Sequence, residues 1–249
     1  MLGNEIFWYE ACIVFFAGIV HGILGFGFPM LATPLFAVFL DLKKAVLLTL
    51  FPTIAVNFLS LKRDNSFGEI WREYRLLIVS IIGGSILGTN LLVVYYSEYY
   101  KLVLAGVILL YLNKARLKIS LTHSVATYPV LMTILFGFLS GIVGGIANIM
   151  IPVLIILILE LNLDKKRAIG VMSFCFITNK ILQVLIFGYH GELSTNSVWV
   201  ILPFVVIAIG GFFIGSRLQD HIDEALYKKI LNGVLWVLSL YLTYSTFYM

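Results

Sequence analysis

The passage His21–Leu35, HGILGFGFPMLATPL, places three glycines and two prolines inside otherwise continuous apolar sequence. Proline removes a backbone donor and glycine loosens the chain, so both tend to end or kink a helix. A similar passage, SGIVGGIANIMIPV, returns at Ser140–Val153. At membrane depth, broken backbone is tolerated where protein buries it or where it lines a polar cavity. We expect the two passages to meet at such a cavity, although glycines can also serve only close helix packing.

The composition places the surrounding sequence in a lipid bilayer. Of the 249 residues, 61% are hydrophobic and 12% are charged, whereas a soluble domain carries about 25% charged residues. The net charge of +4 does not indicate a nucleic-acid partner, because the basic residues stand in short loops between apolar runs. Cys12 and Cys175 lie in apolar segments without metal-ligand spacing and are expected to be small buried hydrophobes. We expect neither a cofactor nor a metal site.

Apolar runs bounded by charged or turn residues divide the chain into ten segments, five in each half. They lie near 6–24, 28–40, 45–61, 76–96 and 99–113, and near 125–143, 146–160, 167–188, 197–216 and 226–248. A crossing helix needs about 20 apolar residues, so the two short segments are expected to be half-helices or re-entrant partners of the helix before them. The prediction is an all-α polytopic membrane protein with a single transmembrane domain over residues 1–249.

Matches in the same order along both halves indicate an internal duplication, with repeat 1 over about 6–113 and repeat 2 over about 125–248. The matches pair Gly18, Gly22 and Gly25 with Gly137, Gly141 and Gly144; Pro34 with Pro152; Asp41–Ala45 with Asp164–Ala168; Gly68–Glu69 with Gly191–Glu192; Gly84 and Gly88 with Gly211 and Gly215; and Lys101 and Gly106 with Lys228 and Gly233. The Gly-x-x-x-Gly pairs at 84–88 and 211–215 are expected to serve close helix packing.

The basic residues decide how the two halves are oriented. Five segments in each half invert the second half and place 13 Lys and Arg in the loops of one face, against three on the other. Four segments in each half would divide these residues nine to seven. Basic loops favour the cytoplasmic side, so the first arrangement is preferred. The prediction is a pair of inverted-topology repeats in the cell (inner or plasma) membrane, with both termini outside.

Inverted repeats with interrupted helices are typical of secondary transporters, whose site lies near the bilayer midplane. Half-helix N-termini at Phe28–Pro34 and Ile146–Pro152 would point free amides and partial positive charge inward, which suits an anion. The candidate substrate-binding residues at the breaks are Gly25, Gly27, Phe28, Pro29, Gly144, Gly145 and Asn148. Asn148 could instead simply cap the half-helix that follows it.

Lys180 is the only one of the 17 Lys and Arg near the middle of an apolar segment. An ionisable group at that depth is costly and marks a functional site by default. It could offset an anionic substrate or release its proton during a transport cycle. The alternatives are a structural ion pair, or a lysine that snorkels to the interface.

Further candidates are polar residues on the same segment and on its counterpart: Thr178, Asn179 and Gln183 beside Lys180, and Thr53 and Asn57 in the comparable region of the first half. The paired asparagines could equally serve as hydrogen-bonding contacts between helices. His21 adjoins the first break and is, with Lys180, a candidate proton relay. A histidine that only makes a helix contact is the alternative.

The duplicated Gly-rich break, the downstream proline and the following Asp-x-x-x-Ala helix resemble the TauE/SafE family of sulfite-exporter-like permeases. The matching residues are Gly22, Gly25, Gly27, Pro34 and Ala45, and then Gly141, Gly144, Gly145, Pro152 and Ala168. The resemblance covers nearly the whole chain and implies a multi-pass inner-membrane protein that moves sulfite, sulfoacetate or other sulfur-containing anions. Phe26, Phe28 and Asn148 depart from the family's usual residues, which bears on the particular substrate.

The leading hypothesis is a permease for a small, sulfur-containing anion such as sulfite, thiosulfate or a sulfonate. It would work by alternating access with its site at the repeat interface, and coupling to a proton or another ion is a further hypothesis. The alternatives are an anion channel and a carrier of an unrelated anion such as a carboxylate. A membrane-embedded enzyme is disfavoured, because no Ser/His/Asp set, metal cluster or acidic pair stands in register at membrane depth.

Overall fold

The computed structural model describes residues 2–64, 67–117, 122–161, 163–219 and 224–248. Regular structure within these ranges is entirely α-helical. The helices are α1 (Leu2–Leu24), α2 (Phe28–Ala37), α3 (Leu42–Asp64), α4 (Phe67–Val94), α5 (Tyr100–Leu117), α6 (Thr122–Thr127), α7 (Pro129–Ala147), α8 (Ile151–Glu160), α9 (Lys165–Tyr189), α10 (Thr195–Leu218) and α11 (Glu224–Tyr248).

Ten of these helices correspond to the ten predicted segments, which confirms the all-α prediction. The largest difference is at α4, which begins at Phe67 although its apolar run begins near residue 76. The additional turns are mostly exposed, and the backbone leaves helical geometry at Tyr74 (φ −107°, ψ 19°). A polar helical extension therefore joins the apolar span at a kink. The short α6 was not predicted.

Within the described residues, six helices are long and apolar enough to cross a membrane: α1, α3, α4, α7, α9 and α10. This number of apolar helices is typical of a polytopic membrane protein. Helices α2 and α8 have ten residues each. At 1.5 Å per residue such a helix covers about half of a hydrocarbon core about 30 Å thick.

The long helices pack in two pairs, α1 on α10 and α4 on α7, through seams of glycine. A Cβ added to Gly22 would lie 2.2 Å from the carbonyl oxygen of Phe212, and one added to Gly88 would lie 2.2 Å from that of Ile142. At six further seam glycines an added Cβ would also lie under 3 Å from backbone atoms of the neighbouring helix: Gly18, Gly84, Gly141, Gly145, Gly211 and Gly215. The close-packing interpretation of the two Gly-x-x-x-Gly pairs is confirmed.

The helix ends correct the predicted match between the two breaks. The ends of α1 and α7, the starts of α2 and α8, and the starts of α3 and α9 all differ by 123 in residue number. On this register Pro152 matches Pro29 and Asn148 matches Gly25, so the predicted match of Pro152 with Pro34 is wrong. The error has a simple origin. Helix α7 carries glycines at positions 137, 141 and 145, so a four-residue slip still aligns glycine with glycine.

The Asp-x-x-x-Ala motifs form the N-terminal caps of α3 and α9. The Asp41 carboxylate accepts the Lys44 backbone N–H at 2.8 Å, and the Asp164 carboxylate accepts that of Arg167 at 2.9 Å. Partial burial alone would raise the pKa of Asp41, but the Lys44 N–H and ammonium outweigh it and hold that pKa below its usual value. Asp41 is therefore ionised at neutral pH, as a helix N-terminus favours.

Candidate functional site

Lys180 lies on α9, and its side chain is completely buried. Its ammonium donates to Oδ1 of Asn148 and to Oε1 of Gln183, and both acceptors are neutral amides. Among the ion pairs formed by the described residues, none includes Lys180. The side chain therefore does not snorkel to the interface, and its charge faces no carboxylate in this part of the chain.

The C-terminal end of α7 is linked to Lys180 through Gln183. Gln183 donates from Nε2 to the carbonyl oxygens of Gly144 and Gly145, at 3.3 and 3.0 Å. These carbonyls belong to the last turn of α7, where the helix dipole concentrates negative charge. Gln183 thus connects the negative end of the α7 dipole to the Lys180 ammonium. The predicted residues Gly144 and Gly145 contribute their backbone carbonyls.

Asn148 ends α7 in the left-handed conformation, with φ 64° and ψ 8°. It is the one non-glycine with positive φ among the described residues, and asparagine tolerates that region better than most residues. Its backbone N–H bonds to the carbonyl of Gly144 at 3.1 Å. The alternative that Asn148 caps the following helix is wrong, because it closes α7, and α8 has Met150 at its N-cap without a side-chain hydrogen bond.

The Asn148 side chain joins four helices at one point. Its Nδ2 donates to the hydroxyls of Thr33 on α2 and Thr49 on α3, both at 2.7 Å, while its Oδ1 faces Lys180 on α9. An ammonium only donates hydrogen bonds, so it fixes which end of the Asn148 amide faces Lys180. We call Lys180, Asn148, Gln183, Thr33 and Thr49 the lysine network.

Thr33 and Thr49 were missed by the sequence analysis. The Thr49 hydroxyl donates to the carbonyls of Ala45 and Val46, which leaves its lone pairs free to accept from Asn148. Thr33 is the only polar side chain in the decapeptide of α2. That isolation in an apolar half-helix is the signal that would have identified it.

His21 caps the first half-helix. Its Nδ1 accepts the backbone N–H of Phe28 at 3.3 Å, and its Nε2 lies 3.1 Å from the hydroxyl of Ser60 on α3. Because Nδ1 accepts, the neutral ring carries its proton on Nε2, which then donates to Ser60. The expectation that the first amide of α2 is free for an anion is therefore wrong. The proton-relay role of His21 stays a prediction.

The remaining predicted residues lie outside the lysine network. The turn beside His21 and the start of α2 contain Gly25, Gly27, Phe28 and Pro29. The Thr178 hydroxyl donates to the Phe174 carbonyl of its own helix. The Asn179 amide donates to the hydroxyl of Ser85 on α4 at 2.8 Å. The Asn179 contact joins two helices, which agrees with the alternative that the paired asparagines serve as hydrogen-bonding contacts between helices. Thr53 and Asn57 are fully buried on α3, one turn apart.

The sequence model of the family described as sulfite exporter TauE/SafE matches residues 11–242. The chain belongs to the TauE/SafE family. The matched range contains both glycine seams, both breaks and the complete lysine network, and it confirms the resemblance seen in the sequence. Members of this family are membrane transporters of the sulfite or anion exporter type and not enzymes. No curated protein and no solved structure matches the chain.

In this TauE/SafE chain, ion pairs lie near both ends of α9. At one end the Lys43 ammonium lies 2.7 Å from a carboxylate oxygen of Glu192. At the other end the Arg167 guanidinium lies 2.7 Å from Glu73 and 3.5 Å from Glu69. The lysine network lies between these two sets of charges along α9.

A cavity of about 570 Å³ opens at the end of α3 that carries the Lys43–Glu192 pair. Its lining residues are Asp41, Lys43, Lys44, Leu47, Tyr96, Glu98, Phe187 and Glu192. Phe187 is fully buried and follows Lys180 by seven residues, so the two share a face of α9. The lining of this cavity therefore comes within two turns of Lys180 along α9.

The rim of this cavity carries fixed negative charge. Burial alone would raise the pKa of Glu98, but the Tyr96 hydroxyl and the Lys101 ammonium outweigh it and hold that pKa below its usual value. Burial and the neighbouring Glu98 carboxylate together raise the pKa of Tyr96, so its hydroxyl stays protonated and donates to Glu98. An anion that enters here meets Lys43 and Lys44 beside ionised carboxylates.

Proposed function

We propose that this chain is a secondary transporter of a small sulfur-containing oxyanion, and that Lys180 supplies the charge that holds it. The observation that carries the proposal is a fully buried ammonium whose acceptors are two neutral amides. A charge at membrane depth is costly unless it is paired. An anion beside Lys180 would supply the missing countercharge.

The lysine network also suits the shape of an oxyanion. Several oxygens must accept hydrogen bonds at once, and three helices bring donors together: the Lys180 ammonium, the Asn148 amide and the Thr33 hydroxyl. An anion would take over the Lys180 hydrogen bonds now made to Asn148 and Gln183. The amide oxygens therefore act as exchangeable partners that keep the ammonium satisfied between transport events.

The helix pairing supports inverted-topology repeats. Exchanging the two halves turns the α1–α10 pair into the α7–α4 pair, and both pairs pack through glycine. Corresponding helix ends in the two halves differ by 123 in residue number, from the end of the first helix of each half to the start of the third. We infer that the substrate site lies at the interface of two inverted repeats, with Lys180 contributed by the second.

Ion pairs near both ends of α9 support alternating access. Each pair joins neighbouring elements, and Phe187, two turns beyond Lys180, lines a cavity beside the Lys43–Glu192 pair. A carrier must open one side while the other stays closed. We infer that the Lys43–Glu192 contact breaks on one side of the membrane and the Arg167–Glu73 contact on the other.

Flux measurements on purified protein in liposomes test this function. We expect saturable uptake of sulfite, with thiosulfate and small sulfonates competing and acetate competing weakly. Uptake that stays linear with concentration, or single-channel currents across planar bilayers, would identify a channel. Preference for acetate over all sulfur-containing anions would contradict the substrate class.

The orientation is tested by cysteine labelling in a variant that lacks both native cysteines. We expect Gly68→Cys and Lys166→Cys to react only with reagent on the cytoplasmic side, and Tyr99→Cys and Tyr189→Cys only with reagent outside, because the basic loops stay inside. All four positions are exposed. Labelling of Tyr99→Cys and Tyr189→Cys from opposite sides would exclude inverted repeats. Permeabilised cells, in which all four must react, provide the control.

A further inference from the structure

Two buried oxygens on α3 have no hydrogen-bond partner within the described residues. They are Oγ1 of Thr53 and Oδ1 of Asn57, on side chains that are 0% and 1% exposed. Six other buried side-chain oxygens share this property, but Thr53 and Asn57 are the pair that lie one turn apart on one helix face. A buried acceptor without a partner costs free energy, so each such atom requires an explanation.

The Asn57 side chain folds back along α3 toward Thr53. Nδ2 of Asn57 donates to the backbone carbonyl of Thr53 at 2.8 Å, which holds the amide group beside Thr53. One turn earlier, the Thr49 hydroxyl bonds back to the carbonyls of Ala45 and Val46, but the Thr53 hydroxyl makes no such bond. Pro52 also has no N–H to offer the carbonyl one turn before it. Two unpartnered side-chain oxygens therefore lie one turn apart on α3.

The same face of α3 continues into the lysine network. Thr49, Thr53 and Asn57 follow one another at four-residue spacing, and Thr49 accepts from Asn148, whose own oxygen faces Lys180. On the register given by the helix ends, Asn57 also stands where Lys180 stands in the other half, since their numbers differ by 123. One half thus presents a fixed ammonium, and the other presents neutral oxygens at the matching place.

We propose that Thr53 and Asn57 form a binding site for a sodium ion that is transported together with the anion. Hard cations take hydroxyl, amide and backbone oxygens as ligands, and transporters bind coupling ions beside interrupted helices. Neutral ligands suit a monovalent ion better than Ca²⁺ or Mg²⁺, whose sites are built with carboxylates. Neither oxygen binds a proton at physiological pH, so the site itself does not serve proton coupling. The role as coupling ion, though not the binding itself, rests on the proposed anion transport.

The charges make the pairing of the two ions reasonable. A divalent oxyanion such as sulfite carries one negative charge more than Lys180 neutralises. A sodium ion two turns of α3 or fewer from Thr49 supplies the second positive charge inside the protein. The expected consequence is that sodium lowers the anion concentration needed for half-saturation.

Thermal unfolding of the purified full chain tests the site without any anion substrate. We expect NaCl to raise the midpoint temperature in a saturable manner, while choline chloride at equal ionic strength does not, because a ligand bound only by the native state stabilises it. Thr53→Val removes one oxygen at nearly constant volume. It should raise the half-saturating sodium concentration at least tenfold while leaving stability in choline chloride unchanged or higher.

Control variants separate the sodium site from folding and from the anion site. Thr133→Val removes a hydroxyl bonded to the Pro129 carbonyl on α7 and should leave the sodium effect unchanged. Asn57→Asp keeps the oxygen and adds charge, so it should lower the half-saturating sodium concentration. Lys180→Met should lose stabilisation by sulfite but keep stabilisation by sodium. Failure of that last variant to lose the sulfite effect would count against the anion site alone.

Three results would overturn the sodium site. The first is equal stabilisation by sodium and choline, which would mean that the two oxygens are satisfied by water. The second is equal stabilisation by potassium and sodium. The third is a sodium effect that persists unchanged in Thr53→Val.

Discussion

Lys180→Met is expected to abolish anion binding while the chain stays folded and inserted. Methionine has nearly the length of lysine and fits an apolar helix, but it carries no charge. A charge-assisted hydrogen bond in a buried site contributes about 1.5–3 kcal/mol, and loss of two such contacts to the anion raises the Kd at least about a hundredfold. The measurement is sulfite binding by calorimetry or thermal shift, together with uptake into liposomes.

The stability of this variant should change little, since two opposing effects nearly cancel. Removing the ammonium relieves the cost of a buried charge, which translocon scales put at about 2.5–3.5 kcal/mol. It also leaves Oδ1 of Asn148 and Oε1 of Gln183 without their donor, at about 1–3 kcal/mol for each buried acceptor. The expected result is a melting temperature within a few degrees of the parent, with anion binding lost.

Lys166→Met is the matched control, because it makes the same substitution at an exposed position of the same helix. Sulfite affinity should stay within about threefold of the parent protein, since an exposed charge is screened by solvent. If Lys180→Met binds sulfite as tightly as this control, Lys180 is not in the site. A Lys180→Met protein that does not fold would show instead that the ammonium is required structurally.

The helices and the burial of Lys180 within one of them were predictable because both depend on local sequence. Apolar runs of membrane length identify crossing helices, and one lysine inside such a run is conspicuous. The hydrogen-bond partners of Lys180 were harder to predict from the sequence. Asn148, Thr33 and Thr49 come from three other helices, so their convergence depends on how the two halves dock, and no local pattern encodes it.

The cap on α2 illustrates the same limit. Gly25 and Gly27 were recognised as the residues that break the helix, and their left-handed φ angles of 80° and 110° turn the chain back toward α1. That turn brings the Phe28 amide to the His21 ring. The sequence shows that His21 adjoins a break, but the acceptor role of Nδ1 depends on the path of the turn.

The glycine seams carry the second large expected effect: Gly22→Val and Gly145→Val should each prevent assembly of the folded protein. A Cβ at Gly22 would lie 2.2 Å from the Phe212 carbonyl oxygen, and one at Gly145 would lie 2.6 Å from the Thr89 nitrogen. Both obstacles are backbone atoms, which cannot rotate away as a side chain can. Overpacking usually costs about 1–3 kcal/mol, and a branched side chain against backbone should exceed that range. We expect little monodisperse protein on size-exclusion chromatography.

Gly106→Val makes the same substitution where a Cβ meets nothing within 4 Å, and it should give normal yield and a melting temperature close to the parent value. A normal melting temperature for Gly22→Val would mean that α1 and α10 are not in backbone contact. Gly145 has a second importance, because its carbonyl accepts from Gln183, whose oxygen in turn accepts from Lys180. Any Gly145→Val protein that does fold should therefore bind sulfite more weakly than a folded Gly22→Val protein. The seam between α4 and α7 would then be required for the position of the lysine network as well as for helix packing.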